Sequence, residues 1–575
     1  MAVKPLTLKR QRAMSSAKAK SYVRVVEVCV YGLPFHLPES FTYGIPEEFE
    51  SLLETGSAVQ VPFREKICEG VVLSIGEGNS TPLKPVISVE SARISPQLLD
   101  SARLIADRYI CRLSEILKLI EPVSIVNESS PLPRRSKKQV SSKTIRGDWI
   151  TNECRKVLDY QALLIIIPTN RDLDQALEKF HSLGINCVDL RAPKNKRGSG
   201  KVFLGLRSSI FTQLPGLDGI WIIDESSDHH WERRHPKWNT RDVALLRYQK
   251  EDFELRFLSA CSSLEIWRLE ELGYIKSEKE RFRRRRSKRI FFSDESFQKA
   301  VKLGLEKGPV LVSVAGKDYV KALACMRCSA APRCECGATL SLTAKGVLRC
   351  NLCDKSQTWR CSDCGNSKFV IIGKGALRIK EEFRKSFPNI PIYTSTADKE
   401  IENVPKKSIV IATGGMEPKG DFGGIISLDT LFLQNIPELR AEEKIRSRLF
   451  SLLNHLVDGG TFYLDLPANN RLSRAIALDS PESVIKEEIT ERSQTKLPPN
   501  WRMIRIECEG VARAISGLLM EHPDVVVSYE SSSVAILRSE VSKSGALTES
   551  IKLLQTYRSI SKKSLLNIEM DPFKL

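Results

Sequence analysis

Eight cysteines crowd into forty residues of this chain, and they constrain its folding more than any other feature. Of 15 cysteines in 575 residues, eight lie between 325 and 364 as four close pairs: Cys325/Cys328, Cys334/Cys336, Cys350/Cys353 and Cys361/Cys364. Close pairs let one turn aim two thiolates at one ion, so eight thiols at this spacing read as two tetrahedral zinc sites. An iron–sulfur cluster is the chemical competitor. Only five residues separate Cys328 from Cys334, too few to wrap an ion, whereas the thirteen between Cys336 and Cys350 include Gly346, a hairpin turn residue. The spacing therefore favours nested sites. The outer one takes Cys325, Cys328, Cys361 and Cys364, and the inner one Cys334, Cys336, Cys350 and Cys353. A cross-braced arrangement, first pair with third and second with fourth, is the alternative. Four thiolates leave no open position, so both ions are expected to be structural. The segment 322–369 has few large apolar residues, and metal must supply much of its folding free energy.

The charge balance points to a polyanion. Lys and Arg number 88 against 70 Asp and Glu, a net +18, and such an excess favours nucleic acid. Seven cations stand in nine residues at Arg281, Arg283, Arg284, Arg285, Arg286, Lys288 and Arg289. They repel one another without an anion, and phosphate contact is the preferred reading over a solvated loop. Phe282 among them is a candidate base-stacking ring. Residues 1–21 form a basic arm with no apolar signal core behind it. The chain is therefore expected in the reducing cytoplasm, where the seven scattered cysteines serve as small core residues. No run approaches the roughly 18 apolar residues of a membrane span.

The remaining pattern is multidomain α/β. Residues 22–80 hold short β-branched runs (VRVVEVCV, SFTYGIP, SAVQVPF, EGVVLSIG) expected to form a small β-barrel. Residues 81–125 show helical periodicity suited to a winged-helix-like domain, and 126–145 read as a polar linker. Apolar strand-like runs alternate with helices over 146–290, and again over 291–321 and 370–484. That alternation predicts two α/β lobes with parallel sheets, the second interrupted by the cysteine-rich insert at 322–369. Residues 485–575 mix strands and helices as a C-terminal α+β domain.

In this order the motifs resemble the replication-restart (primosomal) PriA family. FTY and VQVPF at 41–63 are similar to its N-terminal barrel, which holds the 3′ end of a nascent strand. GLRSSIF (205–211), IIDESSDHHWERRHPKWNTRDVALLR (222–247), FLSACSSLE (257–265) and ATGGMEPKGDF (412–422) resemble its helicase motifs. Pro498-Pro499 and IEMDP (568–572) match its C-terminal signposts. The resemblance implies that Phe41, Thr42 and Tyr43 contact the strand end, with Thr42 standing where the family commonly has an acid.

Three departures bear on ATP. The family's phosphate loop, G-x-x-x-x-G-K-[ST], should precede ALLIII (162–167), but the chain reads GDWITNECRKVLDYQ there. RGSGKV at 197–202 lacks the first glycine and the Ser/Thr, and reads as a surface turn. Asp224 and Glu225 remain from the acidic box, followed by Ser226 and Ser227. The arginine-finger segment is replaced by LLNHLVDGGTFYL (452–464), which has no Arg.

The expected protein is a degenerate helicase relative without enzymatic activity, with no catalytic or nucleotide-binding residues. It would bind two zinc ions and not ATP, recognise stalled or abandoned forks as a monomer, and promote primosome assembly and replicative helicase reloading. Its partners would be forked, single-stranded or duplex DNA, primosome proteins and single-stranded-DNA-binding proteins, with no membrane. The alternatives are an active ATP-dependent 3′–5′ helicase with an unconventional nucleotide site, a zinc-stabilised interaction scaffold, and an RNA-binding zinc protein.

Overall fold

A computed structural model describes residues 19–573 apart from 79–80, 121–122, 125–137, 193–199, 279–286, 315–321, 329, 331–332, 335–339, 343–346, 351–354, 357, 359, 362, 373–375, 402, 435 and 437. The chain is multidomain α/β with two parallel sheets.

The first sheet is antiparallel. It comprises β1 (Arg24–Val30), β2 (Phe41–Gly44), β3 (Ser57–Phe63), β4 (Lys66–Glu77), β5 (Ser88–Arg93) and β6 (Val123–Ser124), in the order β2-β1-β4-β3-β5-β6. Alternation sends Val26, Val28 and Val30 of β1, Tyr43 of β2, and Val59 and Val61 of β3 into one core. β4 is twelve residues long and pairs with both β1 and β3. Its register with β1 shifts at Glu27/Val28, a bulge that re-aims the side chains of β1. The sheet takes its last two strands from beyond residue 80.

Helix Pro96–Tyr109 starts on Ser95, whose hydroxyl caps Leu98 N, with Pro96 in the first turn. Its buried face, including Leu98, Leu99, Ala102, Ile105 and Tyr109, joins a core shared with the first lobe and the C-terminal sheet.

The first lobe contains β7 (Val140–Thr144), β8 (Leu163–Ile166), β9 (Cys187–Asp189), β10 (Val202–Gly205), β11 (Gly219–Ile223), β12 (Glu254–Ser259) and β13 (Lys276–Ser277). They run parallel in the order β13-β7-β12-β11-β8-β10-β9. β8, β11 and β12 are buried along their whole length, as strands covered by helices on both faces must be.

In the second lobe β14 (Lys288–Phe291) and β15 (Val310–Val314) precede the cysteine-rich insert. The insert holds two antiparallel pairs: β16 (Ala322–Cys325) with β19 (Phe369–Ile372), and β17 (Leu340–Leu342) with β18 (Leu348–Cys350). β20 (Ile392–Ser395), β21 (Ile409–Thr413), β22 (Phe422–Ser427) and β23 (Leu456–Leu464) complete a parallel sheet in the order β14-β23-β22-β15-β21-β20. Helix Phe297–Leu305 crosses β22 closely enough that a Cβ on Gly304 would stand 2.8 Å from Gly424 Cα, so only glycine fits.

The C-terminal unit places β24 (Trp501–Glu507), β25 (Val526–Tyr529), β26 (Val534–Glu540) and β27 (Asn567–Met570) in an antiparallel sheet, order β25-β26-β24-β27, with helix Ser544–Ile560 packed on it. Among the described residues, no helix is long and apolar enough to cross a membrane.

Candidate metal centre and nucleic-acid interface

β16 ends on Cys325, and a turn closed by Cys325 N donating to Ala330 O brings Cys328 beside it. A second turn, with Cys361 N donating to Asn366 O and Gly365 N to Cys361 O, presents Cys361 and Cys364. Gly365 sits at φ 71°, a left-handed position that glycine takes at little cost. The β16–β19 pairing carries the two turns to one point. All four sulfurs lie within 4.8 Å of one another, with Cys325 to Cys364 and Cys328 to Cys361 at 3.5 Å. Four thiolates about 2.3 Å from one tetrahedral zinc stand about 3.8 Å apart, so the donor set fits that ion. Desolvation works to raise the Cys325 thiol, but the Cys328 and Arg327 backbone N–H groups and the Cys364 side chain outweigh it, and its pKa falls to about 6. The pairing is the outer one of the nested scheme.

Of the inner group, Cys334 and Cys350 are buried in the same small core as Leu323, Leu340 and Leu348. Cys336 and Cys353 lie outside the described residues. So do Phe282 and the run Arg281, Arg283, Arg284, Arg285 and Arg286.

On the N-terminal sheet the three strand-end candidates part company. Tyr43 is 4% exposed within the core, and Phe41 packs edge-on against Phe63 with ring centroids 5.1 Å apart. Thr42 faces solvent. Its cross-strand partner is Glu27, and the Thr42 hydroxyl donates to the Glu27 carboxylate at 2.5 Å. A carboxylate thus stands beside Thr42, contributed by β1.

At the place of the phosphate loop the chain leaves β7 and turns within Ile145–Gly147 into helix Trp149–Val157. Asp148 caps that helix, accepting from Ile150 N at 3.1 Å and Thr151 N at 3.3 Å. Donors that would cradle a phosphate are already engaged by a carboxylate, so the residues here do not fit a polyphosphate.

Asp224 and Glu225 follow β11. Asp224 adopts φ 49°, a conformation uncommon outside glycine. Desolvation and the neighbouring Asp172 raise its pKa to about 6 against the pull of Lys419. Glu225, fully buried, is raised to about 7 by desolvation, while Arg241 and the backbone N–H of Ser263, at 2.7 Å, oppose the shift. Around it runs an ionic seam that sequence reading missed: Arg241–Glu265 at 3.0 Å, Arg440–Glu265 at 2.5 Å, Arg440–Glu443 at 3.0 Å, Arg446–Glu488 and Arg492–Glu488 at 2.8 Å. Polar contacts reinforce it between the lobes, with Asn454 donating to Ile145 O at 2.9 Å and Lys419 paired with Asp172 at 2.7 Å.

Residues 28–122 match the family model described as the 3′DNA-binding domain (3′BD) of PriA. The "Probable replication restart protein PriA" of Mycobacterium leprae (strain TN) is 24% identical, covering 84% of this chain and 88% of the relative. The replication restart protein PriA of Rickettsia conorii (strain ATCC VR-613 / Malish 7) is 25% identical over 82% and 85%. The likeness to PriA runs over most of the chain. Among solved structures, S. cerevisiae Dbp5 bound to RNA and ADP BeF3 aligns at 11% identity and TM-score 0.34, covering 69% of this chain and 91% of Dbp5. Arterivirus nonstructural protein 10 (helicase) aligns at 9% identity and TM-score 0.22, covering 82% of each.

This likeness corrects the expectation that the chain is an inactive, non-enzymatic relative. Relatives named as replication restart protein PriA, a helicase-type family, align with it over most of their length and most of this chain. The altered motifs describe how nucleotide would be held at one helix end, and motif lettering does not measure turnover.

Proposed function

We propose that this protein binds branched DNA through a free 3′ strand end and promotes reloading of the replication machinery at abandoned forks. One observation carries the reading: the span matching a 3′DNA-binding domain holds Thr42 and most of the sheet on which Thr42 and the adjoining Glu27 form an exposed hydroxyl–carboxylate pair. A terminal 3′-hydroxyl can donate to the Glu27 carboxylate while Thr42 completes the hydrogen bonding. A 3′-phosphate would meet that carboxylate as a like charge. The net charge of +18 supports phosphate contacts that hold the duplex arms without reading sequence. Cys325, Cys328, Cys361 and Cys364 would hold zinc, which supplies a cross-link in place of an apolar core. The other four cysteines of the insert would hold a second ion. The protein would work in the cytoplasm with primosome and single-stranded-DNA-binding proteins.

The test is a titration of forked DNA ending in a 3′-hydroxyl, the same fork ending in a 3′-phosphate, and linear duplex, at several salt concentrations. The hydroxyl-ended fork is expected to bind tightest, and its advantage to vanish in Glu27→Ala. Equal binding of all three ligands would overturn the reading. DNA-stimulated ATP turnover, measured on the same material, reads the activity of the lobes directly.

A further inference from the structure

The last described residues run into the protein. β27 ends at Met570, and the chain then enters a junction between the N-terminal helix, both lobes and the C-terminal sheet. Glu569 accepts from Lys237 at 3.1 Å. Asp571 accepts from Arg108 at 2.8 Å and Met503 N at 2.9 Å, and pairs with Arg502. Phe573, 7% exposed, lies on Trp231 with ring centroids 4.8 Å apart. The Lys444 ammonium stands 4.2 Å from the Phe573 centroid, and the guanidinium groups of Arg241 and Arg440 lie 5.7 and 5.3 Å from that of Trp231. Next to Trp231, on the same loop, Arg233 is exposed and the Arg234 side chain is 86% exposed.

The tail therefore offers two carboxylates to cations and one ring to an indole edged by cations. A short single strand would offer the same chemistry, with phosphates on Arg and Lys and a base stacked on an aromatic face. We propose that Glu569–Phe573 is an internal competitor for single-stranded nucleic acid, seated in a strand-binding site centred on Trp231. Displacing Phe573 uncovers the indole face; the exposed Arg233 can take a flanking phosphate, and Arg234, 3.3 Å from the Glu232 carboxylate, can take one in exchange for that partner. Access to this site is then governed by the tail, separately from recognition of a strand end at Thr42 and Glu27. The inference rests on the DNA-binding reading above.

The experiment uses the full chain and a fluorescent single-stranded oligo-dT, titrated by anisotropy at fixed salt. Base–aromatic stacking of ordinary strength predicts that Phe573→Ala binds about tenfold tighter than wild type. The gain is expected to disappear in Phe573→Ala/Trp231→Ala. Phe573→Leu keeps an apolar plug and guards against misfolding; it is expected to show a smaller gain at an unchanged melting temperature. No gain in either single variant, or a gain that survives loss of Trp231, overturns the proposal. Hydroxyl-ended fork binding by the wild type is scored alongside. Its absence sinks the fork reading, whereas its presence without an oligo-dT gain sinks only the tail inference.

Discussion

Glu225 is fully buried between the lobes, and its Oε2 lies 3.7 Å from Arg241 without a hydrogen-bond partner. Desolvation holds its pKa near 7, well above the 4.5 of a free glutamate. The sign follows from linkage. The folded state keeps this proton more tightly than the unfolded chain, so the associated stability is full below about pH 4.5 and is lost as the pH rises through 7. Glu225→Gln removes the titration. It is expected to stabilise the protein by roughly 1–3 kcal/mol at pH 8 and by little at pH 5, read as denaturation midpoints at the two pH values. Equal effects at both would show that Arg241 compensates the charge in full. The pleat of β2 decides which residue of FTY meets solvent. The order of letters marked the strand, but which letter faces solvent depends on the pleat: Tyr43 points into the valine core and Thr42 away from it. The Glu27 carboxylate beside Thr42 was invisible in the sequence, because fifteen residues separate the pair and only strand register joins them.

Among the elements, the cysteine-rich insert was the most legible. Spacing alone brought Cys325, Cys328, Cys361 and Cys364 together, because two-residue turns leave thiolates few directions in which to point. The α/β alternation of the lobes was equally readable, since fully buried parallel strands are uninterrupted apolar runs such as LLII and GIWII. What sequence spacing could not show is how the insert is hung. β16 pairs with β19, so its two ends meet and leave the second lobe side by side. Metal removal should then melt the insert and spare the lobe sheet. A chelator is expected to abolish amide protection at Ala324 and Cys325 while β15, β21 and β22 keep theirs, measured by hydrogen exchange. Cys361→Ser is expected to lower zinc by one ion per chain in elemental analysis, from about two. Loss of protection throughout β15 would mean that the insert supports the lobe, and iron in place of zinc would overturn the ligand chemistry.

At the scale of the whole molecule, the two lobes share a core. Ala260, Cys261 and Leu264, which follow β12 of the first lobe, pack with Leu311, Val410, Ile445 and Leu449 of the second. The ionic seam lies beside this plug, with Glu265 bonded to Arg241 on one side and Arg440 on the other. None of these contacts was legible, because the likeness of FLSACSSLE to a helicase motif does not say which residues of the second lobe pack on it, and Arg440 meets Glu265 across 175 residues of chain. A shared apolar core couples unfolding more strongly than ion pairs do: charges brought out of water lose much of what they gain, whereas a buried leucine loses both contacts and hydration when cut back. Leu264 is wholly inaccessible. Leu264→Ala is therefore expected to cost about 2–5 kcal/mol and to shift both lobes together as one calorimetric transition. Arg440→Ala should also destabilise, because it strands Glu265 and Glu443 in a dry seam. Two resolved transitions, with Leu264→Ala moving only the one that carries the first lobe, would show instead that the lobes are independent bodies touching at a surface. In that case the seam would be free to open and close, and the raised carboxyls of Asp224 and Glu225 would fall toward ordinary values whenever it opened to water.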